Sequence, residues 1–193
     1  METTLRRNMT DGTGLVRRLR TDQLTEADIA AIRDLLWNAF ADDPDGAFTE
    51  DDWQHSIGGM HFLLREDAAI VSHASVVERE LHVGGKPLRT GYVEAVATAP
   101  ASQRRGFGSA VMREVASYIA PQFELGALGT GSQGFYERLG WQNWTGPSYV
   151  RRPGGLQRTE EDDGYIMVLP TPSSPALDLT EPTSCEWRPG DVW

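Results

Sequence analysis

The chain has 193 residues, 39% of them hydrophobic and 24% charged, which are ordinary values for one globular domain with a buried core. Its 28 acidic and 18 basic residues give a net charge of -10, which argues against non-specific binding to nucleic acid or to anionic membranes. No apolar run is long enough to span a bilayer, no secretory signal is recognisable, and the lone Cys185 cannot form an internal disulfide, so we expect a cytoplasmic protein.

The first part of the chain predicts two helices. In residues 25–40 apolar side chains recur at the spacing of one helix face, and Thr25 with Asp28 three positions later is an N-cap signal. A second, shorter helix is predicted to begin at Thr49, which again has an acidic residue, Asp52, three positions later. We therefore expect helices to precede the sheet.

From Met60 the hydrophobic period changes to that of strands. The predicted strands cover residues 60–64, 68–83 and 88–100, with turns at 65–67 and 84–86. The elements predicted after them are a helix from about Gly108 to Ala120, a strand at 123–130, a short helix at 132–140 and strands near 141–150 and 165–169. This order predicts an α+β fold with a mostly antiparallel sheet.

The C-terminal segment differs from the rest in composition. A Pro- and Ser-rich stretch at 170–175 leads into a tail in which acidic residues dominate and Trp193 is the last residue. We divide the chain into a domain of residues 1–170 and a tail of residues 171–193. On charge alone the tail is either a solubilising segment or a surface that attracts cations, and its indole either packs against the domain or faces a ligand.

One glycine-rich loop carries recognisable chemistry. Gln103, Arg104, Gly106 and Gly108 stand between a predicted strand and a predicted helix. Amides of the first helical turn lack partners within the helix and attract anions, and glycine lets a diphosphate approach the backbone closely. The loop lacks the Gly-Lys-Ser/Thr of a nucleotide P-loop, and a lone Gly-x-Gly also occurs in plain turns.

The loop and its flanks resemble motif A of the GCN5-related N-acetyltransferase (GNAT) superfamily. The strand YVEAVATAP before the loop and the segment GFYERLGW after the helix stand at the distance and in the order expected there. The resemblance implies one domain whose mostly antiparallel mixed sheet is flanked by helices and splays at the strand that receives acetyl-coenzyme A. It also implies acetyl-coenzyme A as the co-substrate, and no metal.

A narrower resemblance is to the aminoglycoside 2'-N-acetyltransferase family. It rests on FTEDDWQHSIGGMH (48–61), GYVEAVA (91–97), DDG (162–164) and the closing DVW. Two stretches that should border the acceptor pocket depart from the family pattern, because the loop at 41–48 is longer and the Gly-rich segment at 126–134 is shorter. The resemblance implies acetyl transfer to the 2'-amine of an aminoglycoside antibiotic by direct attack in a ternary complex, which confers resistance.

The resemblance assigns the acetyl donor to the backbone around the loop. Val96 and Ala97 are expected to pair with the pantetheine arm, where a bulge opens the sheet. The amide of Val96 is expected to meet the oxyanion that develops during transfer. The residues expected to hold the pyrophosphate are Gln103, Arg104, Arg105, Gly106, Phe107 and Gly108.

Glu94 and Tyr136 are the expected general base and general acid. Glu94 interrupts an apolar strand beside the loop and is expected to take the amine proton through ordered water; the alternative is a structural glutamate that faces solvent or an arginine. Tyr136 is expected to protonate the coenzyme sulfur or hydrogen-bond to it, and the alternative is an ordinary core aromatic. The α-carboxylate of Trp193 is a second candidate proton acceptor.

A polycationic sugar is expected to bind clustered carboxylates and the face of an aromatic ring. The candidate ring is the indole of Trp193. The residues expected to bind it are Asp43, Asp45, Asp52, Glu94, Asp162, Asp191 and Trp193. Rival hypotheses are an acetyltransferase for a polyamine or protein amine, and a non-catalytic sensor of acyl-coenzyme A. A homodimer is compatible with the sequence, and the four histidines lack metal-ligand spacing.

Overall fold

The computed structural model describes residues 15–41 and 47–193. The strands are β1 (Val16–Arg20), β2 (Met60–Glu66), β3 (Ala69–Val83), β4 (Lys86–Thr98), β5 (Leu125–Gly129), β6 (Gln142–Asn143), β7 (Ser148–Arg152), β8 (Gly155–Arg158), β9 (Ile166–Pro170) and β10 (Thr183–Glu186). The α-helices are α1 (Glu26–Ala39), α2 (Glu50–His55), α3 (Phe107–Ile119) and α4 (Gln133–Glu137). Within these described ranges, no helix has the length and apolar character needed to cross a membrane.

All the strands belong to one mixed sheet. Its main order is β6-β9-β5-β4-β3-β10-β7-β8, and β2 joins β1 to the first half of β3. The β4–β5 and β7–β10 pairs are parallel and the other pairs are antiparallel. The helices pack on both faces of this sheet, which confirms the predicted α+β class and the mostly antiparallel sheet.

The two predicted N-caps are both present. The Thr25 side chain accepts the amide of Asp28 and the Asp28 carboxylate accepts the amide of Thr25. Thr49 and Asp52 form the same reciprocal pair at the start of α2. Such caps satisfy amides that the helix itself leaves unpaired, and each contributes about 1 kcal/mol.

The sheet opens at the strand that leads to the glycine loop. β4 pairs with β5 only over Thr90–Tyr92, and beyond Tyr92 the two strands separate. On its other side β4 changes register with β3, because Glu94 lies opposite Ser75 whereas Ala97 lies opposite His73. The extra residue produces a bulge in which Ala95 has a φ of +51°. The implied splay of the sheet is therefore present.

The C-terminal segment contributes a strand to the sheet. Residues Thr183–Glu186 form β10, which lies between β3 and β7. The sequence predicted only a connector and a tail here, and β1 and β8 were not predicted either. These strands have four or five residues and little hydrophobic alternation, so pairing determines their conformation. β1 and β10 pair with strands distant in the chain, whereas β8 forms a hairpin with β7.

Candidate active site

The glycine loop ends in the N-terminus of α3, as the sequence indicated. Gly106 is the N-cap residue with a φ of +87°, a conformation that side chains with a Cβ rarely adopt. A Cβ placed on Gly106 would meet no heavy atom within 4 Å, so open space lies in front of this backbone. Arg104 also has a positive φ, +61°, which is uncommon for a non-glycine residue. The loop is thus held in a turn that exposes backbone at the mouth of the helix.

The side chains of the loop are divided between solvent and core. Gln103, Arg104 and Arg105 are exposed, whereas the Phe107 ring is buried in the main hydrophobic core. The guanidinium of Arg105 lies 4.7 Å from the centre of that ring and pairs with Glu66. Phe107 can therefore bind an anion only through its backbone amide. The ion pair with Glu66 already compensates part of the positive charge of Arg105.

Glu94 projects from β4 just before the bulge and is paired with Arg188 of the C-terminal tail. The Arg188 Nη1 donates to Glu94 Oε1 at 2.5 Å, and the two side chains are only 13% and 12% exposed. Burial raises the pKa of Glu94 above its ordinary value, although Arg188 opposes this shift; the Asp191 carboxylate adds a smaller increase. Glu94 therefore faces an arginine, which was one of the two alternatives to a general base, but nothing in the sequence indicated that this arginine is Arg188.

Two arginines fix the path of the tail across the sheet. Arg79, from β3, donates to the carboxylate of Glu186 at 2.8 Å and to the Val192 carbonyl at 2.9 Å. Its guanidinium also lies 4.6 Å from the centre of the Tyr92 ring. The guanidinium of Arg188 lies 5.6 Å from the centre of the same Tyr92 ring. The Nε of Arg188 donates to the Asp191 carbonyl at 2.8 Å. The chain end is therefore ordered by buried cation contacts rather than frayed.

The indole of Trp193 does not provide an exposed wall. Its side chain belongs to a buried cluster with Leu81, Tyr92 and Trp144, and the residue is 5% exposed. The indole Nε1 donates to Thr159 Oγ1 at 3.3 Å. The expectation that this indole offers a face to a sugar is wrong, because the ring packs against the domain and loses its contact with water.

Burial of the indole places the terminal carboxyl group at the end of β5. A Cβ on Gly129 would lie 3.2 Å from the carbonyl carbon and oxygen of Trp193, and 3.7 Å from the Tyr92 hydroxyl. Glycine at this position therefore leaves room for the chain terminus. The carboxylate charge lies beside the gap that opens between β4 and β5.

Two further carboxylates lie near this terminus. Asp191 is exposed, and Asp162 ends a short 3₁₀-turn, Glu160–Asp162, on the adjacent loop. Burial raises the pKa of Asp162 to about 6, and the carboxylates of Asp191 and Glu161 add to the shift. Because Asp191 acts on the pKa of both Asp162 and Glu94, the three groups share one electrostatic environment.

Helix α2 forms another side of this environment. The His55 ring bonds to the carbonyl of Pro189 at 2.8 Å, which ties α2 to the tail. Asp52 lies one turn earlier on α2, with its carboxylate engaged in the cap of Thr49. Asp52 therefore lies on the helix that contacts the tail, at its opposite end from His55. Asp43 and Asp45, which were also predicted to bind the sugar, lie outside the described residues.

Tyr136 stands in a short helix beside the loop. Its ring packs edge-on against Phe135 and Trp141, at centre distances of 4.9 and 6.1 Å, and the residue is 6% exposed. Burial raises the pKa of the Tyr136 hydroxyl above its ordinary value, so the phenol stays protonated at neutral pH. The ring is part of the core and its hydroxyl is a hydrogen-bond donor.

Comparison with known proteins assigns a class to this arrangement. The profile described as the acetyltransferase (GNAT) domain matches residues 20–143. A GCN5-related N-acetyltransferase from Kribbella flavida superposes with a TM-score of 0.55 at 20% identity, over 70% of this chain and 34% of that chain. A GNAT family acetyltransferase from Brucella melitensis, solved in complex with acetyl-CoA, superposes with a TM-score of 0.56 at 18% identity, over 85% of this chain and 94% of that chain. The fold and the matched domain define an acetyltransferase of the GNAT class.

A relative found by sequence comparison identifies the family within this class. The chain is 38% identical over 181 residues to the aminoglycoside 2'-N-acetyltransferase of Mycolicibacterium fortuitum, and the match covers 92% of this chain and 91% of the relative. The chain belongs to the aminoglycoside 2'-N-acetyltransferase family, within the wider GNAT family. Both resemblances stated from the sequence are confirmed.

Proposed function

We propose that the protein transfers the acetyl group of acetyl-coenzyme A to the 2'-amine of an aminoglycoside, in a ternary complex in the cytoplasm, and so confers resistance. The observation that carries the proposal is a set of carboxylates on Glu94, Asp162, Asp191 and the Trp193 terminus beside the gap between β4 and β5. A donor with a diphosphate and an acceptor with several ammonium groups would meet where β4 leads into the glycine loop.

The donor side of this proposed site consists mainly of backbone. The open space in front of Gly106 and the outward amides of the first turn of α3 fit a diphosphate. The exposed guanidinium of Arg104 supplies positive charge beside them. Val96 and Ala97 lie where β4 has left β5, so the pantetheine arm has strand backbone to pair with.

The acceptor side consists of the tail and the elements that hold it. Residues 171–193, which include β10 of the same sheet, close this side of the site, and Arg79 and Arg188 hold them in place. Ammonium groups of the sugar would bind the carboxylates of Asp162, Asp191 and the terminus, with Asp52 at the edge. An acceptor with one amine would leave most of these charges without a partner, which favours a compact polycation.

The chemistry requires an unprotonated amine. In the proposal an ammonium proton passes through water to Glu94 or to the terminal carboxylate, and the freed lone pair attacks the thioester carbonyl carbon. The raised pKa of Glu94 makes it a better proton acceptor than an ordinary glutamate, while its pairing with Arg188 holds the carboxylate in place. The Val96 amide stabilises the tetrahedral oxyanion. The nitrogen then gives its second proton to water, the carbon–sulfur bond breaks, and the thiolate leaves.

Tyr136 has a limited role in this scheme. Burial raises the pKa of the Tyr136 phenol, so the phenol gives up its proton with difficulty. The coenzyme thiolate is a weaker base than the tyrosine phenolate, because a thiol has a lower pKa than a phenol. Tyr136 therefore stabilises the thiolate by donating a hydrogen bond, and the proton that completes the thiol comes from water. This deepens the expectation from the sequence without requiring full transfer from the phenol.

Replacing Glu94 with Gln is expected to lower kcat by about 100-fold, which is a usual contribution of a general base. The amide oxygen can still accept the hydrogen bond of Arg188, so coenzyme A affinity and fold should change little. A control is Glu78→Gln, which alters an exposed carboxylate that is also paired with an arginine, Arg89. Unchanged turnover in Glu94→Gln would leave this carboxylate with its ion-pair role alone.

Binding of the polycation is expected to depend on the protonation of Asp162. With a pKa of about 6, this group is mostly neutral at pH 5 and mostly ionised at pH 7. Only the ionised form attracts an ammonium group, so affinity should rise about tenfold over this interval as the proton leaves. Calorimetric titrations at both pH values measure the change, and Asp162→Asn should flatten it. A wild-type affinity that does not change between pH 5 and pH 7 would remove Asp162 from the site.

The rival acceptors are distinguished by a substrate panel. Release of free thiol from acetyl-coenzyme A is measured with aminoglycosides that carry either an amine or a hydroxyl at the 2' position, with spermidine and with an unacetylated peptide. The proposal predicts turnover only with the 2'-amines. Equal turnover of the 2'-hydroxyl compounds, or a preference for spermidine or peptide, would contradict it, and coenzyme binding without any transfer would favour the sensor. Light scattering tests the homodimer hypothesis separately.

A further inference from the structure

A hydrogen-bonded chain of buried histidines ends at the bulge of β4. Thr21 Oγ1 lies 2.9 Å from His61 Nε2, and His61 Nδ1 lies 3.0 Å from His73 Nε2. His73 Nδ1 in turn lies 2.7 Å from the carbonyl oxygen of Ala95. Both rings have no solvent exposure, and burial lowers their pKa values, to about 4 for His61 and to about 3 for His73. They are therefore neutral at physiological pH.

The carbonyl at the end of this chain fixes the direction of every bond. Because the oxygen of Ala95 can only accept, the hydrogen of His73 must be on Nδ1 and its Nε2 must be an acceptor. His61 then carries its own hydrogen on Nδ1, which leaves its Nε2 as an acceptor. The Thr21 hydroxyl has this nitrogen at 2.9 Å and the Gly59 carbonyl at 3.3 Å as acceptors, and the shorter bond is the one to His61. The three side chains thus form one polarised series of donors that points at the bulge.

The carbonyl of Ala95 and the amide of Val96 belong to the same peptide unit. This peptide is trans, since no cis bond occurs in the described residues, so its N–H points away from its C=O. The carbonyl points to His73 on β3, and the N–H of Val96 therefore points away from that ring. A hydrogen bond to the carbonyl also polarises the peptide and strengthens its N–H as a donor.

We propose that His73, backed by His61, positions and polarises the Ala95–Val96 peptide so that the Val96 amide is ready to receive the oxyanion. The inference rests on the proposed acetyl transfer and adds positioning residues to it. A φ of +51° at Ala95 is unfavourable for a residue with a Cβ. The hydrogen bond from His73 therefore stabilises a peptide that would otherwise relax to a different conformation. Two buried imidazoles also carry a desolvation cost that a plain apolar pair in the same place would avoid.

The test compares His73→Phe with His73→Asn. Phenylalanine keeps a planar ring but has no donor, whereas the asparagine amide can place an N–H near the former Nδ1. We expect His73→Phe to lower kcat about 30-fold with little change in the KM of either substrate, which is less than the loss of an oxyanion donor itself. His73→Asn should recover much of this loss. The matched control is Thr90→Val, which removes a buried hydroxyl bonded to the Leu88 carbonyl at the far end of β4.

A nuclear magnetic resonance readout keeps this inference separate from the proposed function. The ¹⁵N resonance of Val96 should shift upfield in His73→Phe and remain in place in Thr90→Val, whether or not any aminoglycoside is acetylated. In the wild type the ring nitrogens should show hydrogen on Nδ1 of both histidines, which requires no variant to fold. The opposite tautomer of His73, an unmoved Val96 resonance, or a kcat within twofold of the wild type in His73→Phe would each overturn the inference.

Discussion

Valine at both Gly106 and Gly108 is expected to weaken the binding of acetyl-coenzyme A by about 100-fold or more. At Gly106 the φ of +87° is strained for a β-branched residue, so the turn should relax and its amides should no longer converge. At Gly108 a Cβ would lie 3.1 Å from the Thr98 hydroxyl and 3.5 Å from the Phe135 ring, which crowds the first turn of α3. Loss of two charge-assisted hydrogen bonds, each about 1.5–3 kcal/mol, accounts for that factor.

Calorimetry with coenzyme A measures this effect, and a remote glycine provides the control. Gly85 has a φ of +78° in the β3–β4 turn and, like Gly106, has open space in front of it. Gly85→Val therefore introduces similar backbone strain without touching the loop. If the Gly106 and Gly108 double variant is folded and binds coenzyme A as tightly as Gly85→Val does, the loop is not the diphosphate site.

Conversion of the terminal carboxylate of Trp193 to an amide is expected to raise the KM for an aminoglycoside by about 10- to 100-fold. The reason is the loss of one charged hydrogen bond, worth about 1.5–3 kcal/mol, from the carboxylate set. Truncation would be a poorer test, because the indole is part of the core and the Val192 carbonyl accepts from Arg79. The amide leaves both contacts in place.

Semisynthesis by ligation of a C-terminal peptide gives the amide and the acid by the same route. The acid product is the matched control, and both should bind coenzyme A alike. If the carboxylate also accepts the amine proton, kcat falls together with the rise in KM. Equal KM values for the amide and the acid would exclude the chain terminus from the acceptor site.

Several elements could be predicted because local signals specify them. The caps at Thr25 and Thr49 and the glycine turn at 84–86 depend on residues only a few positions apart. β10 could not be predicted, because its four residues are fixed by pairing with β3 and β7, which are distant in the sequence. The sequence of the tail therefore predicts a connector, although four of its residues form a strand of the sheet.

The same distinction applies to the site. The glycine loop and the carboxylate of Glu94 stand in one contiguous stretch, and sequence analysis identified them together. The partner of that carboxylate, Arg188, is 94 positions away and was visible only as the lone basic residue of an acidic tail. The Trp193 indole is buried by its hydrogen bond to Thr159 and by packing against a hydrophobic cluster whose residues come from several strands. The sequence near Trp193 therefore does not show whether the indole is buried or exposed.

The most direct measurement is a crystal structure of the ternary complex with coenzyme A and a 2'-amino aminoglycoside. The account predicts the diphosphate on the amides that begin α3, the sulfur beside Val96, and the 2'-amine facing Glu94 and the terminal carboxylate. A surface cavity of about 460 Å³ has a lining that includes Glu78, Glu80 and Glu124 together with Arg79 and Arg89. An aminoglycoside bound in that cavity, with its 2'-amine remote from the thiol, would contradict the account.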